Sequence, residues 1–179
     1  VVAEGFEAGG HNGREETTTM VLIPMVREKI KIQLIAAGGI ATGRQMLAAF
    51  ALGADGVQIG SRFAASEESS LHANFKNKIT ELGEGDTQLS LKKLGPVRLV
   101  KNKFYKQVQE AEDKGASSEE LQNILGRARA KKGMFEGDLE EGELEIRQVS
   151  YMLKEIKPVK KIVEEIIVQY NEAKKKQYY

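Results

Sequence analysis

The pattern of apolar and polar positions divides the chain at about residue 66. Before that point short apolar runs alternate with helical patterns. Val1–Glu4 reads as a strand, and so do Gln33–Ala37 and Asp55–Ile59. Between them Thr18–Lys29 reads as a helix with Met20, Val21, Ile23, Pro24 and Val26 as inward candidates, and Pro24 predicts that it is short or kinked. Gly43–Leu52 is a small amphipathic helix that Gly53 ends. This βαβαβ rhythm predicts parallel strands with right-handed crossovers, and the continuous apolar strands predict a sheet covered on both faces.

After residue 66 the helical period takes over. Ser70–Leu82 carries a stripe of Leu71, Phe75, Lys78, Ile79 and Leu82, and Gly83–Thr87 is a turn. Val97–Asp113 reads as mostly helical, and Ser117–Glu120 as a helix start. Lys131–Glu143 is a loop rich in glycine and charge. Two helices close the chain, at about 144–155 and 159–176, separated by Pro158, with Ile162, Val163, Ile166, Ile167 and Tyr170 on the apolar face of the second. The expected division is 1–66, 67–143 (mainly helical) and 144–179.

Composition narrows the function classes. The 179 residues carry a net charge of +1, which gives no reason to expect nucleic acid or a membrane surface as partner. The absence of cysteine removes disulfides, thiolate metal sites and a cysteine nucleophile, and it fits a reducing, cytoplasmic location. The chain opens on Val1 inside a strand pattern, without an initiator methionine, so a preceding portion is expected.

Two glycine loops carry the first chemical signal. Ala36-Ala37-Gly38-Gly39-Ile40 follows one strand, and Gly60-Ser61-Arg62 follows the next. Glycine permits positive φ and lets backbone N–H groups approach an anion, a helix N-terminus adds partial positive charge, and Ser61 adds a hydroxyl. Either loop alone is equally a tight turn that needs glycine for its geometry. Side by side they fit the phosphate site that barrel enzymes build after their last two strands. The second signal is Glu4–Gly13, an acidic, glycine-rich loop that ends near His11.

These segments together resemble the nitronate monooxygenase family, formerly the 2-nitropropane dioxygenases. The likeness rests on Glu4–Gly13, on Ala36–Phe63, on Ser66-Glu67-Glu68-Ser69 with His72, on Val97–Phe104 and on Gly137–Gly142. It spans the whole chain and matches only the C-terminal part of the family, from about the sixth barrel strand. The implied fold is α/β: the last three or so parallel strands of a TIM (β/α)₈ barrel, an added helical region and C-terminal helices. Inosine monophosphate dehydrogenase and related enzymes share the phosphate-site pattern, but they need a cysteine and lack the Glu-Ala-Gly-Gly-His stretch. The flavin-dependent enoyl-acyl-carrier-protein reductases share both the histidine motif and the Gly-Asp-x-Glu-Glu-Gly loop.

The resemblance implies FMN as cofactor. It places His11 at the flavin's reactive edge as the catalytic residue, and a histidine there can take a proton or donate to an anion. Ala8 and Gly10 would pass close to the flavin, and Glu4 would be an acidic neighbour. Gly39 and Gly60 would reach the phosphate, with Gly38 and Ser61 beside them. Arg62 could pair with phosphate or pack structurally, Asn12 could tune substrate choice, and His72 reads as a surface or helix-packing residue. No metal is implied, and the acids of Gly137–Gly142 read as a turn. The implied reaction is oxidation of an alkyl nitronate by dioxygen to a carbonyl compound and nitrite. Enoyl-acyl-carrier-protein reduction and a non-catalytic flavin- or phosphate-binding remnant are the alternatives. The N-terminal barrel half is expected elsewhere, the isolated segment is expected to be inactive, and a homodimer is possible.

Overall fold

The computed structural model describes residues 1–176. Its elements run β1 (Val2–Glu4), β2 (Gly10–His11), α1 (Thr19–Lys29), β3 (Ile35–Ala37), α2 (Gly43–Ala51), β4 (Gly56–Gln58), α3 (Ser61–Ala64), α4 (Ala73–Glu81), β5 (Thr87–Ser90), β6 (Val97–Val100), α5 (Lys103–Asp113), α6 (Ser118–Leu125) and α7 (Val159–Lys175). A π-helical turn lies at Lys131–Phe135 and a 3-10 turn at Gln148–Met152.

The parallel sheet forms as the pattern predicts, in the order β1-β3-β4. Its register pairs Glu4 with Ala37 and Ala37 with Gln58, so the three strands end level with one another. Ala3, Ile23, Leu34, Ala36, Ile40 and Ala49 bury the face between this sheet and α1 and α2. The cover is less complete than the apolar strands suggest, because Gln58 and Val2 are exposed. Helix α1 runs through Pro24 without ending, at the cost of one backbone hydrogen bond. Of its expected inward positions Ile23 is fully buried, whereas Met20 and Val21 face outward.

Two stretches expected to be helical are not. Val97–Val100 is a strand, and the helix expected over 97–113 begins only at Lys103, where Asn102 Oδ1 accepts the Tyr105 N–H as a cap. Thr87–Ser90, placed partly in a turn, pairs with it, so the region expected to be mainly helical carries a β-hairpin. The run Val-Arg-Leu-Val is a short apolar stretch with a single arginine, which fits a strand as well as a helix, and all four residues are buried. The segment 144–155 is likewise no α-helix. Val100 N–H donates to the Leu144 carbonyl, Glu145 bridges Leu99, and the 3-10 turn follows. The resulting antiparallel sheet has the order β2-β6-β5.

The remaining helices form where their patterns predict, with part of each expected apolar face buried. Phe75, Ile79 and Leu82 from the expected stripe are buried, together with Val100, Leu144, Ile146 and Leu153. Ser117 and Glu120 form a reciprocal capping box that starts α6. On α7 Ile162 and Ile166 are buried, while Val163 and Ile167 are exposed. No helix among the described residues is long and apolar enough to cross a membrane.

Helix α2 meets α7 at Gly43, where backbone touches backbone. A side-chain carbon there would collide with the Tyr170 N and the Ile166 carbonyl oxygen. Replacing Gly43 with Ala should destabilise the protein by about 2 kcal/mol, because overpacking outweighs the better helix propensity of alanine. Thermal unfolding of the variant measures the loss, and an unchanged or raised melting temperature would contradict the packing described.

Candidate active site

The level ends of the parallel strands place three loops side by side: Gly5–Gly10 after β1, Gly38–Ile40 after β3 and Ile59–Ser61 after β4. The first two are locked together. Gly5 N–H donates to the Ala37 carbonyl at 2.9 Å. Gly38 (φ 95°) sits so close that an added Cβ would lie 2.7 Å from the Gly5 carbonyl oxygen. Glu7 adds a second tie. Its carboxylate accepts the Thr19 N–H at 2.9 Å and lies 3.0 Å from the Thr19 hydroxyl, which is itself 3.0 Å from the Gly38 carbonyl. Glu7 thus caps the positive end of α1. Its side chain also covers Gly39, where an added Cβ would meet the Glu7 Cβ at 3.1 Å.

The N-terminus of α2 contributes less to an anion site than expected. Thr42 and Gln45 satisfy each other in a capping box, the Gln45 carboxamide also accepts from Ala41, and Gly43 N–H donates to Gln169. Three of its four orphan donors, the N–H groups of Thr42, Gly43 and Gln45, are already used. The third loop keeps free groups. Ser61 Oγ is buried and has no hydrogen-bond partner among the described residues. Arg62 turns away from this loop: its guanidinium donates to Glu165 on α7 at 2.8 Å, and Lys157 reaches the other Glu165 oxygen at 2.6 Å. Between its two expected roles, the structure gives Arg62 packing.

Arg147 has no counterpart in the sequence reading. Its guanidinium lies over Gly60, where an added Cβ would meet Cζ at 2.9 Å. One arm donates to Glu4 at 2.9 Å, while Nη1 is buried and unpartnered among the described residues. Its partner Glu4 is 143 positions away, so no local signal could have found the pair.

His11 stands on the other sheet. Gly10 pairs with Arg98 and His11 with Val97, so β2 is a two-residue strand on the edge of β6. Asn12 fixes the loop from behind, its Nδ2 donating to the Ala8 carbonyl (3.1 Å) and the Gly10 carbonyl (2.9 Å). Ala8 is fully buried, while the His11 side chain is exposed. Phe6 in the same loop carries the Arg98 guanidinium 4.9 Å above its ring. Further along the same edge of β6 lies Glu145, whose carboxylate abuts Gly10. Burial pushes the Glu145 carboxyl up, and the charge of His11 opposes that shift. Glu143 is pushed up to about 7, by burial first and by the charge of Glu145 second, with Arg129 opposing.

The other residues singled out by sequence are structural. His72 caps α4, its Nδ1 accepting the Asn74 N–H at 3.1 Å. Glu68 accepts the Val159 N–H at the start of α7. In Gly137–Gly142, Asp138 accepts from the backbone of Glu140 and Glu141 and pairs with Lys132, and Glu141 pairs with Lys103. Among the described residues no three acidic or histidine side chains converge as a metal site.

A parallel sheet ending in level glycine loops, flanked by α1 and α2, is a mixed α/β arrangement consistent with part of a (β/α)₈ barrel. Residues 1–169 match the sequence profile of the nitronate monooxygenase family, and the chain belongs to that family. FabK from Thermotoga maritima superposes with a TM-score of 0.91 at 42% identity, covering 98% of this chain and 55% of that one. Nitroalkane oxidase from Streptomyces ansochromogenes gives 0.77 at 30% identity, covering 98% and 52%. A protein named "Probable nitronate monooxygenase" from Staphylococcus saprophyticus is 36% identical over 146 residues, which are 74% of this chain and 41% of that protein. The chain thus spans about half the length of its relatives, or less.

The raised Glu143 value has a consequence for stability. A carboxyl whose folded-state pKa lies above its ordinary 4.5 binds more protons folded than unfolded, so its contribution is complete below about 4.5 and is lost as pH rises through about 7. Glu143→Gln should flatten the stability profile between these limits. It should also raise stability at pH 8 by about 1 kcal/mol, a figure reduced for solvent screening. Denaturant unfolding at pH 5 and pH 8 checks this, and an equal pH dependence in both proteins would refute it.

Proposed function

We propose that the whole protein is an FMN-dependent nitronate monooxygenase, which oxidises an alkyl nitronate with dioxygen to a carbonyl compound and nitrite. The observation that carries this reading is the union, at one sheet end, of the Gly38-Gly39 and Gly60-Ser61 loops with the loop that bears His11. Membership of the family supports it. The residues fit a flavin phosphate: Ser61 Oγ is buried without a partner, and the Arg147 guanidinium stands over Gly60. Gly38, Gly39, Gly60 and Ser61 would hold the phosphate, and Glu4, Ala8 and Gly10 would lie along the flavin. When bound, the flavin supplies the electron-accepting chemistry. His11, held at its post by β6 and Asn12, would orient the anionic nitronate by donating to its oxygens or would take up a proton.

A second reading is flavin-dependent reduction of an enoyl thioester on an acyl carrier protein, driven by NADH or NADPH. The Gly137–Gly142 turn is compatible with it, because the resemblance shares that turn with those reductases as well as with the nitronate monooxygenases. Here Asn102 Nδ2 clamps the turn, donating to the Leu139 and Gly142 carbonyls at 2.8 Å each. Anaerobic reduction separates the two. Bleaching of the bound flavin by a nitronate supports the first, and fast bleaching by NADH with turnover of an enoyl thioester replaces it with the second. His11→Ala in the complete protein should lower kcat by roughly 10²-fold or more while flavin content stays the same. Steady-state kinetics beside the flavin absorbance ratio tests this, and full activity in the variant would remove His11 from its role.

A further inference from the structure

We propose that Arg147, with the hydroxyls of Ser61 and Ser150, grips the phosphate monoester of the cofactor. The proposal rests on the flavin reading above and adds two residues to it, Arg147 and Ser150. Five buried side-chain polar atoms lack a hydrogen-bond partner among the described residues, and three of them belong to Ser61, Arg147 and Ser150. Native structures leave few buried donors unpaired, so three on neighbouring turns call for an acceptor that several donors can share. The geometry brings them together. Arg147 Cζ lies against Gly60, the neighbour of Ser61. Ser150 N–H closes a turn on the Arg147 carbonyl at 3.1 Å, and that 3-10 turn packs on α3, which Ser61 begins.

The guanidinium is held in place before any ligand arrives. Glu4 takes Nη2 at 2.9 Å and sets its plane, so the free Nη1 is the arm left to a guest. Glu4 also brings a negative charge, which a phosphate must tolerate. Arg147 and two hydroxyls outweigh it, because a phosphate monoester accepts charge-assisted hydrogen bonds on three oxygens at once. Arg62 does not compete for this task, since Glu165 holds it. The site is therefore expected to discriminate the phosphorylated flavin from the same ring without phosphate.

The test compares FMN with riboflavin on the complete protein stripped of flavin, with fluorescence quenching as the readout. Arg147→Gln should weaken FMN about 10-fold or more and leave riboflavin within about twofold, Arg147→Lys should restore part of the loss, and Ser150→Ala should weaken FMN alone by about threefold. Inorganic phosphate should compete with FMN, not with riboflavin, in the parent protein. Should Arg147→Gln not fold, Ser150→Ala and Arg147→Lys read the same ratio. Variants that keep the parent's ratio of FMN to riboflavin affinity, or lose both flavins equally, overturn the proposal while the flavin reading stands. A parent protein that binds neither flavin overturns both.

Discussion

Backbone has to approach backbone where the parallel strands end, and the rest of the site depends on that approach. Gly5 and Gly38 meet with no side chain between them, and the Gly5 N–H bonds across to Ala37. A side chain at either glycine would push the histidine loop off the sheet. With both glycines in place, the Glu7 carboxylate can reach back to the first turn of α1 and the loop closes over Gly39. Strand register, helix capping and loop position then reinforce one another.

The same economy recurs on the outer side. Arg62, Lys157 and Glu165 form a half-buried triad that fastens α3 to α7, while Gly43 lets α2 rest directly on α7. Glu165 is held below the ordinary carboxylate range, by Lys157 foremost. The long C-terminal helix therefore braces both loops that follow β3 and β4. Charged residues close to a candidate phosphate loop serve the scaffold on this side and the loop interior on the other, and only the direction of each side chain tells them apart.

Much of the parallel sheet was legible, because strands, glycine turns and helix caps are local signals with a fixed period. Gly38, Gly39, Gly60 and Ser61 fall at one sheet end, as the spacing implied. The hairpin was not legible: Val97–Val100 is a buried run too short for its period to separate the two templates, and its partner strand Thr87–Ser90 hides behind a turn signal. Segment 144–155 was misread for a related reason, since its apolar residues pack against β6 and α4 without an intrinsic helix of their own. Arg147, Glu145 and Glu7 were missed because their partners lie far away in sequence or across a loop, where periodicity carries no information.

The two-residue strand β2 gives the histidine an address on a different sheet from the glycine loops. In the proposed reading the parallel sheet would fix an anion and the antiparallel sheet the reacting edge, and the short run from Gly5 to Gly10 joins β1 directly to β2. Changes in the length or twist of the β5–β6 hairpin can therefore shift His11 and leave the glycine loops untouched. A lineage built on this plan could remodel the hairpin, and with it the surroundings of His11, while the glycine loops are inherited unaltered.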